Sequence, residues 1–204
     1  MLYTSAVRTE APEYKSIVAR TSGQGKTMKT YEFTVIASGL DPEADDFETR
    51  FFEAGCDDAT IGFQNGHILI DFSWEAGSLA EAIVTAVESA LQGGAVVERV
   101  EPDPLVSLSD MASRSGMTKG AMSNYSKGHR LDGFPAPTAR VTTPSPLWNW
   151  AQVAEWLYRN GRISRDEALE AGVFAAANDI LECDADCLAD ALERRTEQLE
   201  AALD

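Results

Sequence analysis

LSDMASRSGMTKGAMSNYSK, residues 108–127, reads as two short helices joined by a sharp turn. Ser107 and Asp110 stand at capping-box spacing and open the first helix. Leu108, Met111 and Ala112 then fall on one helical face. Gly116 supplies the positive φ that a sharp turn needs. Met117 is apolar, Thr118 is placed to cap a second helix, and Met122 and Tyr125 face inward along it. Ala112 is small enough for a close crossing, as a helix-turn-helix requires when its helices pack at roughly 90–120°.

The chain beyond this pair sharpens the pattern. FPAPTARVTTPSPLWNWAQVAEWL (134–157) holds Phe134-Pro135, then Trp148-Asn149-Trp150, then Val153-Ala154-Glu155-Trp156-Leu157. With the helix pair, residues 105–160 resemble the excisionase and MerR-type winged-helix family. In that family a helix-turn-helix is followed by a Phe-Pro-containing wing hairpin, an aromatic-bearing strand and a helix ending in Val-x-x-Trp-Leu. Pro144 and Pro146 depart from the family's compact glycine-rich wing turn.

The resemblance implies binding to double-stranded DNA through the second helix. The positions expected to face solvent there are Thr118, Lys119, Gly120, Ser123, Asn124 and Lys127. Thr118 and Ser123 can donate to phosphate or bases, and Asn124 can pair with adenine through two hydrogen bonds. Lys119 and Lys127 can reach guanine edges or phosphate, and Gly120 allows close backbone approach. Arg130 and Arg140 flank the wing as backbone or minor-groove contacts, beside His129, which adds charge only at mildly acid pH. Trp148, Trp150 and Trp156 are expected in the core rather than as stacking platforms. A single copy makes few phosphate contacts, so a homo-oligomer is expected.

Charge is uneven along the 204 residues, whose net is −16. Residues 1–27 carry +2, 28–102 carry −12, 103–160 carry +2 and 161–204 carry −8. The total excludes a generally basic nucleic-acid coat protein, but the segment with the helix pair escapes the acidic trend and can approach phosphate. Hydrophobic content of 44% and charged content of 25% exclude disorder throughout. No apolar run nears the roughly 20 residues of a membrane span, and no basic-then-apolar signal peptide opens the sequence. Three cysteines without a disulfide-like pattern point to a reducing compartment, so a cytoplasmic protein with no membrane partner is expected.

Residues 28–101 predict an acidic, ferredoxin-like βαββαβ domain. Tyr31, Phe33 and Val35 alternate as a strand. Asp41 and Pro42 suit the cap and first position of a helix whose apolar face is Leu40, Ala44, Phe47 and Phe51, ending at Gly55. Asn65-Gly66 joins two alternating strands through a type I′ turn. Ser78 and Glu81 form a capping box for a second helix, and Ala95 to Val100 is a last strand. Three roles fit this domain: small-molecule sensing, which matches ACT-type domains in element order only; a protein-interaction or dimerisation platform; or a structural partner. Asp45, Asp46, Glu48 and Glu53 read as a solvated helix face rather than DNA mimicry.

Residues 1–27 are expected to be a flexible extension, with SGQGKT (22–27) lacking the earlier glycine of a phosphate loop, where Arg20 stands. Residues 161–204 predict acidic helices. Ser164 and Glu167 cap the first, which is weakened at Gly172. Leu188, Leu192, Leu199 and Leu203 form a narrow apolar stripe that suits a dimer contact, a partner-binding helix or a hairpin folded onto its own domain. Cys183 and Cys187 can share a helical face, but no matching ligands suggest a metal.

His67 and His129 are the only histidines, and no nucleophile elbow, zinc-protease motif or phosphate loop is found. No enzyme activity, cofactor or metal is expected. The sequence thus predicts an α+β protein with a ferredoxin-like domain, a winged helix-turn-helix and C-terminal helices. Its expected role is a DNA-binding transcriptional regulator that represses by occupying a promoter. Alternatives are an antitoxin-like protein docking a basic partner through its acidic regions, a phage-type excision or recombination-directionality factor, and a protein-interaction adaptor.

Overall fold

The computed structural model describes residues 27–183 and 185–204. Apart from Thr27, the expected extension and its SGQGKT stretch lie outside the described residues. The chain is mixed α+β. The first unit runs β1 (Lys29–Ser38), α1 (Phe47–Glu53), β2 (Thr60–Gln64), β3 (His67–Ala76), α2 (Leu79–Gln92) and β4 (Val96–Glu101). Its sheet has the order β2-β3-β1-β4, with every neighbouring pair antiparallel. Then follow β5 (Leu105–Val106), α3 (Leu108–Arg114), α4 (Lys119–Ser126), β6 (Trp148–Asn149), α5 (Trp150–Arg159), α6 (Arg165–Leu181) and α7 (Leu188–Ala202).

Local signals account for most of these elements. Asn65 and Gly66 take φ of 53° and 86°, the two left-handed positions of the β2–β3 turn. Ser78 caps α2 by accepting from the Glu81 N–H, but the Glu81 carboxylate reaches Gly77 instead of completing the box. The expected helix at Pro42 does not start there. The Asp41 carboxylate accepts from the Glu43 N–H, and Ala44 N–H donates to the Asp41 carbonyl. That local turn competes with helix, so α1 begins only at Phe47. The last strand also runs one residue later than expected, to Glu101.

Two hydrophobic cores form, and α6 serves both. The inner sheet face packs Val35, Ile68, Ile70 and Val100 against Phe51, Ile83 and Val87, with Val173, Ala177, Leu188 and Leu192 from the C-terminal helices. The second core gathers Val106, Met111, Met122, Trp148, Val153, Trp156 and Leu157, with Ala168, Ala171 and Leu203. The C-terminal segment is therefore a hairpin folded onto its own chain. α6 runs unbroken through Gly172. A Cβ there would lie 2.9 Å from Leu199 Cδ2, so the glycine lets α7 approach. Cys183 follows α6 and Cys187 ends a short 3-10 turn, so they do not share a helix face. No described helix is long and apolar enough to cross a membrane.

Candidate nucleic-acid interface

The helix pair is set by its ends. Ser107 Oγ accepts from the N–H groups of Ser109 and Asp110, and the Asp110 carboxylate accepts from Ser107 N–H at 2.8 Å. That backbone bond, with the Ser107 hydroxyl, holds the Asp110 carboxyl below its usual range. At the turn, Gly116 has φ of 65°, and a Cβ on it would meet no other atom within 4 Å, so conformation alone demands glycine. Thr118 Oγ1 then accepts from Ala121 N–H at 3.2 Å and starts α4. Met111 and Met122 are fully buried between the helices, with Ala112 and Tyr125 beside them.

Aromatic packing fixes the segment after α4. Phe134 lies against Tyr125 and Trp156, with centroids 6.4 and 5.0 Å away. The indole N–H of Trp156 donates to the Asp132 carbonyl at 3.0 Å, and that of Trp148 to the Pro135 carbonyl at 3.1 Å. Trp148, Trp150 and Trp156 are all buried, in keeping with the expectation from sequence. Asn149 caps α5 by accepting from Gln152 N–H.

The wing is reduced, in line with the departure expected at Pro144 and Pro146. Ala139 and Leu147 make one antiparallel bridge, and the tip closes by Thr143 N–H and Oγ1 donating to the Arg140 carbonyl. Pro144 and Pro146 lack the N–H that a longer ladder needs. Trp148-Asn149 pairs instead with Leu105-Val106, the segment entering α3.

Of the predicted site residues, Thr118, Lys119, Gly120, Asn124 and Lys127 are exposed on α4 and its two caps. Arg130 and Arg140 are exposed on the connection between α4 and α5. Ser123, expected to face solvent, is half-buried. The Thr118 oxygen is occupied as a cap, which leaves its hydroxyl proton for a ligand.

Charge separates this surface from the rest. Residues 118–140 hold four cations, Lys119, Lys127, Arg130 and Arg140, against a single acid, Asp132. Among the described residues none of the four makes an ion pair, and neither do Arg162, Arg194 and Arg195, whereas Lys29, Arg50, Arg99, Arg159 and Arg165 are each held by a carboxylate, so it is the local excess of cations over acids that sets this surface apart. Arg114 contributes differently. It is half-buried with its guanidinium 5.8 Å from the Trp150 ring, and burial lowers its pKa.

Two features of this surface carry no sequence signal. Val141 is 61% exposed beside Arg140, an isolated apolar side chain without periodic partners. Leu131 and Arg140 both take left-handed φ, of 55° and 51°, which no residue type there signals. No protein-family model, curated protein or solved structure matches the chain.

Proposed function

We propose that the chain is a sequence-specific, double-stranded DNA-binding transcriptional regulator that represses by occupying its operator. In this reading residues 105–160 are a winged helix-turn-helix of the excisionase and MerR type, and the sheet unit is a ferredoxin-like domain. The observation that carries the proposal is the set of four cations against one acid on one capped helix and the connection after it, in a chain of net −16. Across residues 28–102 and 161–204 carboxylates are in excess and repel phosphate.

In the proposed complex α4 enters the major groove. Asn124 reads adenine, Lys119 and Lys127 reach guanine edges or phosphate, and the Thr118 hydroxyl donates to the backbone. Gly120 presents open backbone, since a Cβ there would meet only the Thr118 hydroxyl at 3.9 Å. Arg130 and Arg140 contact phosphate or the minor groove. With so few contacts per copy, a homo-oligomer in the cytoplasm binds repeated half-sites. The acidic remainder weakens non-specific binding and raises the specificity ratio.

Selection from a random duplex library tests this, using the full chain in about 0.1 M salt, where screening acts over about 10 Å. The expected result is an enriched motif with a repeat, lost in a Lys119→Ala, Asn124→Ala double variant whose melting temperature is unchanged. No enrichment, with no retention of duplex even at low salt, would reject the reading.

A further inference from the structure

The sheet treats its two edges differently. At β4, Asn178 of α6 accepts from Val100 N–H at 2.8 Å and donates to the Val100 carbonyl at 2.9 Å, closing that edge. At the other end, β2 pairs with β3 alone among the described residues, and four of its five residues are exposed. An edge of this kind presents unpaired N–H and C=O groups to a further strand.

Side chains on the two faces of β2 differ in character. On the helix side Ile61 and Phe63 stand opposite Ile70 and Ile68. Because α1 starts at Phe47 and spans only seven residues, Phe63 stays 51% exposed and Phe52, on α1, 66% exposed. Between α1 and β2 runs a groove of about 450 Å³, floored by Phe52, Ala59 and Ile61 and rimmed by Glu48 and Asp57. On the other side of the sheet, Thr60 of β2 lies opposite Asp71, which lines a second surface hollow with Asp58 and Glu32. Residues 43–59 hold seven acids and one base, Arg50, whose guanidinium is taken by Asp46 at 2.7 Å.

We infer that β2 is a docking edge for an extended segment of a partner protein whose side chains alternate between apolar and basic. Added antiparallel or parallel to β2, such a strand has a period of two. Its apolar side chains enter the groove against Phe52 and Ile61 and cover the exposed Phe63, and its basic ones meet Asp58 and Asp71 on the opposite face. A second copy of this chain fits poorly, because joining two β2 edges sets these acidic surfaces against each other. The inference is independent of DNA binding.

The test uses the full chain and a short peptide of alternating valine and lysine, with a valine–glutamate peptide as control. Hydrogen exchange of the outward amides of Thr60–Gln64 is expected to slow by about tenfold or more with the lysine peptide only. Phe52→Lys with Phe63→Lys is expected to abolish the protection without lowering the melting temperature, since both rings are already exposed. Three results would overturn the inference: no protection at millimolar peptide, equal protection by the glutamate peptide, or β2 amides protected before any peptide is added. In the last case sedimentation separates an edge paired within a monomer from one paired between copies.

Discussion

Arg140 carries the clearest tension between conformation and charge. Its φ of 51° lies in the left-handed region, and its carbonyl is tied there by the N–H of Thr143 at 3.0 Å and its Oγ1 at 2.9 Å. A non-glycine residue in that region costs on the order of 1 kcal/mol. Glycine adopts this φ without that cost, so the backbone conformation itself does not call for arginine here. Arg140→Gly is therefore expected to leave the melting temperature unchanged or raise it, by no more than about 1 kcal/mol of stability. The same change is expected to weaken DNA binding and to reduce the slope of log affinity against log salt by about 0.9, the share of one phosphate contact. Arg140→Gln, which keeps the strain and removes the charge, should lower the slope without the stability gain. An unchanged slope in both variants would take Arg140 out of the interface.

Two helices, α3 and α6, open on complete capping boxes, Ser107 with Asp110 and Ser164 with Glu167. In each, the backbone N–H of the cap residue is the main cause that lowers the carboxyl pKa. A carboxyl depressed in the folded state adds stability above its unfolded pKa, and loses it as pH falls through the folded value. The unfolded values are about 3.9 for aspartate and 4.3 for glutamate. The melting temperature is thus expected to fall as pH drops below about 4.3, and Asp110→Asn with Glu167→Gln should flatten that decline. Circular dichroism melts across this range decide the point; an equally steep decline in the double variant would place the acid sensitivity elsewhere. These boxes were legible in the sequence because each is a contact over three residues, and the Asn65-Gly66 turn was legible for the same reason. The start of α1 was not, since the Asp41 side chain closes a turn that its residue type equally permits. The wing was read from a family pattern, yet Pro144 and Pro146 leave it a single bridge at Ala139 and Leu147. On the candidate site, Lys119 and Lys127 were readable from helical spacing and Arg130 and Arg140 only from the family pattern, while the backbone of Leu131 and Arg140 depends on a loop path that no short window encodes.

The molecule is joined through one helix. Ala168 and Ala171 of α6 belong to the core of the helix pair, and Val173, Ala176 and Ala177 to the core of the sheet. A run of small residues suits a helix packed on several sides, and it also explains why periodicity did not reveal two partners. Asn178 fixes this shared helix to β4 by bonding both backbone groups of Val100, which is fully buried, over a separation of 78 residues. Lys29 and Glu170 add an ion pair at 2.6 Å between β1 and α6, but both are too exposed for it to contribute much. The C-terminal end closes the arrangement, with Tyr158 donating to the Leu203 carbonyl and Arg165 to that of Glu200. Cutting the tie at Asn178 should therefore be felt in both cores. Asn178→Ala leaves the Val100 N–H and carbonyl without partners, at a cost of about 1–3 kcal/mol for a buried unsatisfied group. If α6 makes the two cores one cooperative unit, denaturant unfolding stays a single transition and moves to lower concentration by the same amount in every probe. Indole fluorescence is weighted to the helix-pair core, where Trp148, Trp150 and Trp156 lie, while far-ultraviolet ellipticity reports the whole chain. Coincident shifts are the expected result. A variant whose ellipticity transition moves or splits while its indole transition stays in place would show that the cores unfold separately, and that α6 touches both without coupling them.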